Sequence, residues 1–153
     1  MTDQQQSPAD AVTTRIGQAA MLLHGGDREE ARNRLAELWS EIADSGDALD
    51  RCTLAHYLAD AQDDPADELA WDLRALAAAE GVERTGGGTP AVRALFPSLH
   101  LNLAADYVRL SRPAAARDHL ARARAATGAL ADDGYGHDVR AAIDRLSRTL
   151  GPA

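Results

Sequence analysis

The sequence predicts an all-α protein made of paired helices. Apolar residues recur at helical spacing, and no window shows the sustained alternation of a β-strand. Capping residues and glycine stops divide the periodic segments. A chain of 153 residues is long enough for one domain with its own core. We therefore expect a disordered tail at residues 1–9 and a single α-helical domain at residues 10–153.

Four helices are predicted in the first half of the chain. The clearest start signal is Asp64-Pro65, which supplies a cap and a proline at the first helical position. The helix that follows is expected to bury Leu69, Leu73 and Leu76 on one face. The expected ranges, each ended by a glycine or a turn signal, are about 10–24, 28–44, 48–61 and 65–80.

A glycine-rich insertion at residues 81–95 separates these helices from three more. It contains Gly86-Gly87-Gly88 but no following Gly-Lys-Ser/Thr, so it is not a phosphate-binding loop. We interpret it as a connector, with a ligand lid as the alternative. The remaining helices, separated by the turn clusters at 111–113 and 132–136, are expected at about 97–110, 114–126 and 137–150.

One helix pair resembles the tetratricopeptide repeat (TPR). The residues that carry the resemblance follow the motif's order of large, small and aromatic side chains and its turn: Asn102, Leu103, Ala104, Tyr107, Ser111, Ala116, Leu120 and Ala123. The chain departs from the motif at His100, where tryptophan is common, and at Gly128, where the motif ends in proline.

Two further pairs resemble the motif more loosely, so that the resemblance covers about residues 10–128. In the first pair Gln18 stands where leucine is expected, and the second fits only with about two extra residues in its turn. The resemblance implies a right-handed array of about three antiparallel helix pairs, with residues 137–150 as a C-terminal capping helix. It also implies a concave groove, lined by the first helix of each pair, that holds a peptide or protein partner.

Composition excludes several classes of function. All 16 basic residues are arginine, which removes lysine Schiff-base and P-loop chemistry. A net charge of −8 disfavours nucleic-acid binding, and the lone Cys52 excludes an intramolecular disulfide or a multi-thiolate metal cage. No targeting signal or run of about 18 apolar residues is found, so we expect a cytoplasmic protein without membrane contact. The alanine and arginine usage suggests a bacterial gene.

Charge is divided unevenly along the chain. Residues 1–80 carry 17 acidic residues and 6 arginines, a net −11, whereas residues 81–153 carry 7 acidic residues and 10 arginines, a net +3. The simple interpretation is a solvated acidic surface that keeps the protein soluble. The alternative is a polar molecule that binds cationic ligands at one end or stacks head to tail.

The candidate groove residues come from the repeat register. His24, Asp60 and Arg109 occupy equivalent positions in successive repeats, and Cys52 and His56 share one helical face. Two ligands are too few for a zinc site, so no metal is expected. Cys52, His56 and Asp60 are weak catalytic candidates as nucleophile, base and orienting carboxylate. A buried cysteine beside a locally bonded histidine is the simpler interpretation.

Two aromatic residues are candidate surface anchors. Trp71 lies off the expected apolar stripe of its helix, so its side chain is exposed unless the next element covers it. Tyr135 lies in a glycine-flanked turn. The sequence thus favours a non-enzymatic TPR-like module that binds a protein or peptide in its groove, without a cofactor. The alternative is a small-molecule-binding or accessory biosynthetic protein that uses the Cys/His/Asp-lined groove. A homodimer is a third option.

Overall fold

The protein is all-helical in the computed structural model, which describes residues 8–44 and 46–152. The α-helices in chain order are α1 (Pro8–His24), α2 (Arg28–Ile42), α3 (Ala48–Asp60), α4 (Pro65–Arg84), α5 (Pro90–Arg93), α6 (Phe96–Arg109), α7 (Pro113–Ala125) and α8 (Gly134–Leu150). A 3₁₀ turn at Thr127–Ala129 follows α7. The predicted all-α class is confirmed. Residues 1–7 of the expected tail, and Ser45 in the turn after α2, lie outside the described residues.

Side-chain caps account for several helix starts. The Asp47 and Asp64 carboxylates accept hydrogen bonds from the backbone N–H groups at the starts of α3 and α4. Asp133 does the same for Gly136, so α8 begins at Gly134 and includes part of the expected turn cluster. Asp27 is the residue that precedes α2, but its side chain makes no capping hydrogen bond.

The glycine-rich insertion contains more helix than the sequence suggests. Helix α4 continues four residues beyond its predicted end, to Arg84. Gly86 then takes φ +83°, a conformation that glycine adopts without strain, and the Gly87 N–H bonds the Val82 carbonyl at 3.0 Å. The short α5 follows and buries Val92, which is 2% exposed.

Consecutive helices form three pairs that stack side by side. Helices α1 and α2, α3 and α4, and α6 and α7 pack together within pairs, and the short turns that join them make each pair antiparallel. Helix α2 packs on α3 and α4 packs on α6, which joins the pairs into one body, while α8 covers α6 and α7. Among the described residues, no helix has the length and apolarity of a membrane span.

The buried face of α4 is rotated by about one residue from the prediction, which is confirmed at Leu76 but wrong at Leu73. Leu73 is 41% exposed and Leu69 is only half-buried. The residues that α4 buries are Asp72, Ala75, Leu76 and Ala79. This rotation places a carboxylate in the interior and brings Trp71 against the edge of Trp39, with ring centroids 5.0 Å apart.

Candidate functional site

A cleft of about 360 Å³ lies where α3, α6 and the start of α8 meet. Its lining combines three apolar or thiol side chains with a polar rim: Cys52, Leu95, Leu99, Thr53, His56, Ser98, Asn102 and Tyr135. Its volume falls at the lower end of the range of about 300–1,000 Å³ that is common for ligand sites. The first helices of the second and third pairs, α3 and α6, thus both line this one cleft.

Cys52 forms part of the inner wall of this cleft. Cys52 is 4% exposed, although the repeat register placed it among the open groove positions. Burial raises the pKa of the Cys52 thiol to about 11. The thiol is therefore protonated at neutral pH, which works against a nucleophilic role and favours packing.

His56 connects the cleft to a more acidic region. Its Nε2 atom lies 3.5 Å from Asp60 Oδ2, one helical turn further along α3. On the other side, the Asn102 amide nitrogen lies 3.5 Å from His56 Nδ1. The structure therefore brings Cys52, His56 and Asp60 to one face of α3, as the spacing predicted, and adds Asn102 from α6.

The other candidate residues are spread more widely. Tyr135 is 55% exposed, and its hydroxyl is hydrogen-bonded to the Ser98 hydroxyl across the cleft mouth. Trp71 is half-buried, with the Arg74 guanidinium 4.3 Å above its ring, so it is a packed residue rather than a free anchor. The exposed His24 ring lies 6.3 Å from the Tyr57 ring.

Three carboxylates meet at the junction of α4 and α6, and we call them the carboxylate cluster: Glu68, Asp72 and Asp106. Each can offer one oxygen within 4.8 Å of the others. Asp72 and Asp106 are 3% and 1% exposed. Arg109 donates to Asp106 Oδ1 at 2.9 Å and also bonds Glu68 Oε1, so the predicted groove residue Arg109 serves the cluster.

The electrostatics of the carboxylate cluster are unfavourable for three negative charges. Burial and the neighbouring Asp106 carboxyl raise the pKa of Asp72 far above its usual range. Burial also raises the pKa values of Glu68 and Asp106, against the opposing effect of Arg109. Asp106 Oδ2 is fully buried and has no hydrogen-bond partner.

A second buried polar group lies on another side of α6, facing α7. The Nδ1 atoms of His100 and His119 are 3.0 Å apart, so one ring donates and the other accepts. Phe96 stacks on His100, and Tyr107 stacks on His119. Burial lowers the pKa of His100 to about 4 and lowers that of His119 as well.

The carboxylate cluster was missed at the level of sequence, although a signal for it existed. Asp72 falls three, four and seven residues before Ala75, Leu76 and Ala79, and Asp106 continues the spacing of Leu99 and Leu103. An acidic residue in register with a buried stripe indicates an interior carboxylate. That Asp72 and Asp106 face each other depends on how α4 packs against α6, which local spacing does not specify.

Comparisons with protein-family models, curated proteins and solved structures return no match for this chain.

Proposed function

We propose that this chain is a non-enzymatic TPR-like module that binds a peptide segment of a partner protein along the seam between α3 and α6. The arrangement of helices supports the proposal, since the second helix of one pair packs on the first helix of the next, as in a right-handed repeat array. Helix α8 then acts as the terminal cap. In such an array the first helices of the pairs line the binding face.

The cleft is the observation that carries the proposal. Its apolar wall at Leu95 and Leu99 and its polar rim suit one large apolar side chain of the partner, held by backbone contacts to polar groups such as Asn102. The cleft volume of about 360 Å³ accommodates one or two large side chains. A buried anchor of this kind is where interfaces concentrate their binding energy.

Charge along the seam specifies the partner further. Asp60 lies two helical turns beyond Cys52, about 12 Å along α3, and it is 45% exposed in its side chain. An extended peptide covers that distance in about four residues. We therefore expect the partner segment to carry an apolar anchor and a basic residue three or four positions away.

Peptide selection followed by affinity measurement tests this proposal. Thr53 is exposed at the cleft mouth, so Thr53→Trp should block the cleft without entering the core. We expect peptides selected on the wild-type chain to share the anchor-and-base pattern and to bind the Thr53→Trp variant at least tenfold more weakly by fluorescence polarisation. The matched control is Thr149→Trp on the exposed face of α8, which should leave affinity unchanged.

Two results would contradict the proposal. One is equal affinity of selected peptides for the wild type and Thr53→Trp. The other is a selection in which no cleft-dependent peptide emerges from a library that covers the pattern.

A small-molecule-binding protein is the second candidate, and the cover over the cleft favours it. Tyr135 bonds Ser98 across the mouth, and Leu95 reaches the cleft from the end of the insertion. Native mass spectrometry of the protein purified from its own cells distinguishes the two. A bound metabolite that is absent from Thr53→Trp and present in Thr149→Trp would support this candidate over peptide binding.

A further inference from the structure

The carboxylate cluster has more negative charge than its surroundings balance. With all groups ionised, Glu68, Asp72 and Asp106 contribute three negative charges against the single positive charge of Arg109. Among the described residues, Arg109 is the one cation in salt-bridge contact with any of the three. Burying unbalanced charge costs several kcal/mol per ion, so the cluster requires a further positive charge.

The side chain of Asp106 indicates the position of that missing positive charge. Its Oδ1 is occupied by Arg109, whereas its Oδ2 is fully buried and receives no hydrogen bond. A buried oxygen without a partner is rare in folded proteins and indicates a missing ligand, water or ion. The neighbouring carboxyls of Asp72 and Glu68 have no N–H to donate, and Asp72 can hydrogen-bond Asp106 only through a proton.

We infer that the carboxylate cluster binds one hard divalent cation, of the class of Mn²⁺, Mg²⁺ or Ca²⁺, between α4 and α6. Three carboxylate oxygens within 4.8 Å of one another match the ligand type and the spacing around such an ion. Two positive charges bring the group to neutrality, whereas one shared proton leaves it negative. This site is separate from the apolar cleft, and the inference does not rest on the proposed peptide binding.

The cation would join the second and third helix pairs. Glu68 and Asp72 lie one turn apart on α4, and Asp106 approaches from the last turn of α6. Arg109 is half exposed and contacts one oxygen of Glu68 and one oxygen of Asp106, so each of these carboxylates has a second oxygen that Arg109 does not contact. A ligand that bridges two helices stabilises only the folded state, so its affinity appears as an increase in melting temperature.

Manganese titration of the EDTA-stripped full chain tests the inference. Loss of the free Mn²⁺ paramagnetic resonance signal reports the bound ion, and we expect one site per chain with a Kd on the order of 10⁻⁴ M or tighter at pH 7.5. Asp72→Asn and Asp106→Asn should each weaken Mn²⁺ binding at least tenfold and abolish the metal-induced rise in melting temperature. Circular dichroism confirms that each variant is folded.

The matched control removes a carboxylate elsewhere. Asp118→Asn breaks an exposed ion pair with Arg122 on α7 and should leave Mn²⁺ affinity unchanged. The inference is overturned if the wild type binds no Mn²⁺, Mg²⁺ or Ca²⁺ at millimolar concentration, in which case a proton shared by Asp72 and Asp106 occupies the cluster. It is also overturned if Mn²⁺ affinity is the same in both cluster variants as in the wild type.

Discussion

Helix α6 carries buried ionisable groups on two sides, and the two sides differ in the charge state they require. Towards α4, Asp106 joins Asp72 and Glu68, whose raised pKa values favour a proton or a cation. Towards α7, His100 pairs with His119, and their lowered pKa values favour the neutral rings. The same burial therefore favours added positive charge on one side and disfavours it on the other.

The two sides consequently respond to acid in opposite directions. Around the histidine pair, the unfolded chain binds protons more readily than the folded one, so stability is lost as the pH falls from about 6.5 towards 4. Around the carboxylate cluster, the folded chain holds protons more tightly, so stability is gained as the pH falls through the folded pKa values. A helix can thus combine two groups whose pH dependences partly cancel.

The largest predicted effect comes from removing the positive charge of Arg109 beside the carboxylate cluster. In EDTA at pH 8, Arg109→Met should lower the free energy of unfolding by about 3 kcal/mol, because it leaves Asp106 and Glu68 without a counter-charge. Urea denaturation measures the change.

Arg124→Met is the control for that loss. Arg124 pairs with Asp144 at 3.1 Å, and both side chains are more than half exposed, so the cost should stay below about 1 kcal/mol. Equal losses in the two variants would mean that Arg109 acts only as a surface residue.

The second prediction concerns acid on the histidine side. Between pH 7 and pH 4.5, protonation should cost the wild type roughly 2 kcal/mol through His100, and His119 acts in the same direction. Arg122 adds to this effect, whereas Asp118 and Glu80 oppose it. His100→Phe keeps the stack on Phe96 and should lose less stability over the same interval, as measured by urea midpoints at both pH values.

An exposed histidine provides the comparison. His137 lies 2.6 Å from Asp132 with 63% of its side chain exposed, and His137→Asn should keep the wild-type loss in acid. If His100→Phe loses as much stability as the wild type between pH 7 and pH 4.5, the histidine pair does not set the acid response.

The third prediction is a smaller increase in the free energy of unfolding when Asp72 of the carboxylate cluster is replaced. In EDTA at pH 7.5, Asp72→Asn should raise the free energy of unfolding by about 1–2 kcal/mol, because the amide can donate to Asp106 without the proton that the Asp72 carboxyl must take up on folding at that pH. Thermal melting of the stripped protein measures it. The exposed Asp118→Asn should change stability by less than about 0.5 kcal/mol. A destabilised Asp72→Asn would show that Asp106 Oδ2 is not short of a donor.

Much of the fold was predictable because local signals specify helix ends. Asp64-Pro65 caps α4 as expected, and Ala116, Leu120 and Ala123 of α7, which match the repeat motif, are buried. The start of α8 was placed three residues late, since the Asp133 cap recruits Gly134 and Tyr135 into the helix. Capping hydrogen bonds join residues that are close in the chain, so helix starts can be predicted from the sequence.

The interior of the site was less predictable because it depends on contacts between distant residues. Cys52 and His56 were expected together from their spacing, and both line the cleft. The α4 face was misassigned because the pattern places leucine inside and aspartate outside, whereas packing on α6 buries Asp72 and exposes Leu73. Only tertiary structure brings Asp72 to Asp106, which lies 34 positions later in the chain.

The most direct test of the central claim is a ¹⁵N NMR titration of the full chain with a selected peptide. We expect the shifted resonances to cluster at the cleft and the seam, at Thr53, His56, Ser98 and Asn102, with α2 unchanged. Shifts that map to the outer faces of α2 and α7 and leave the cleft unperturbed would contradict a binding function in the α3–α6 seam.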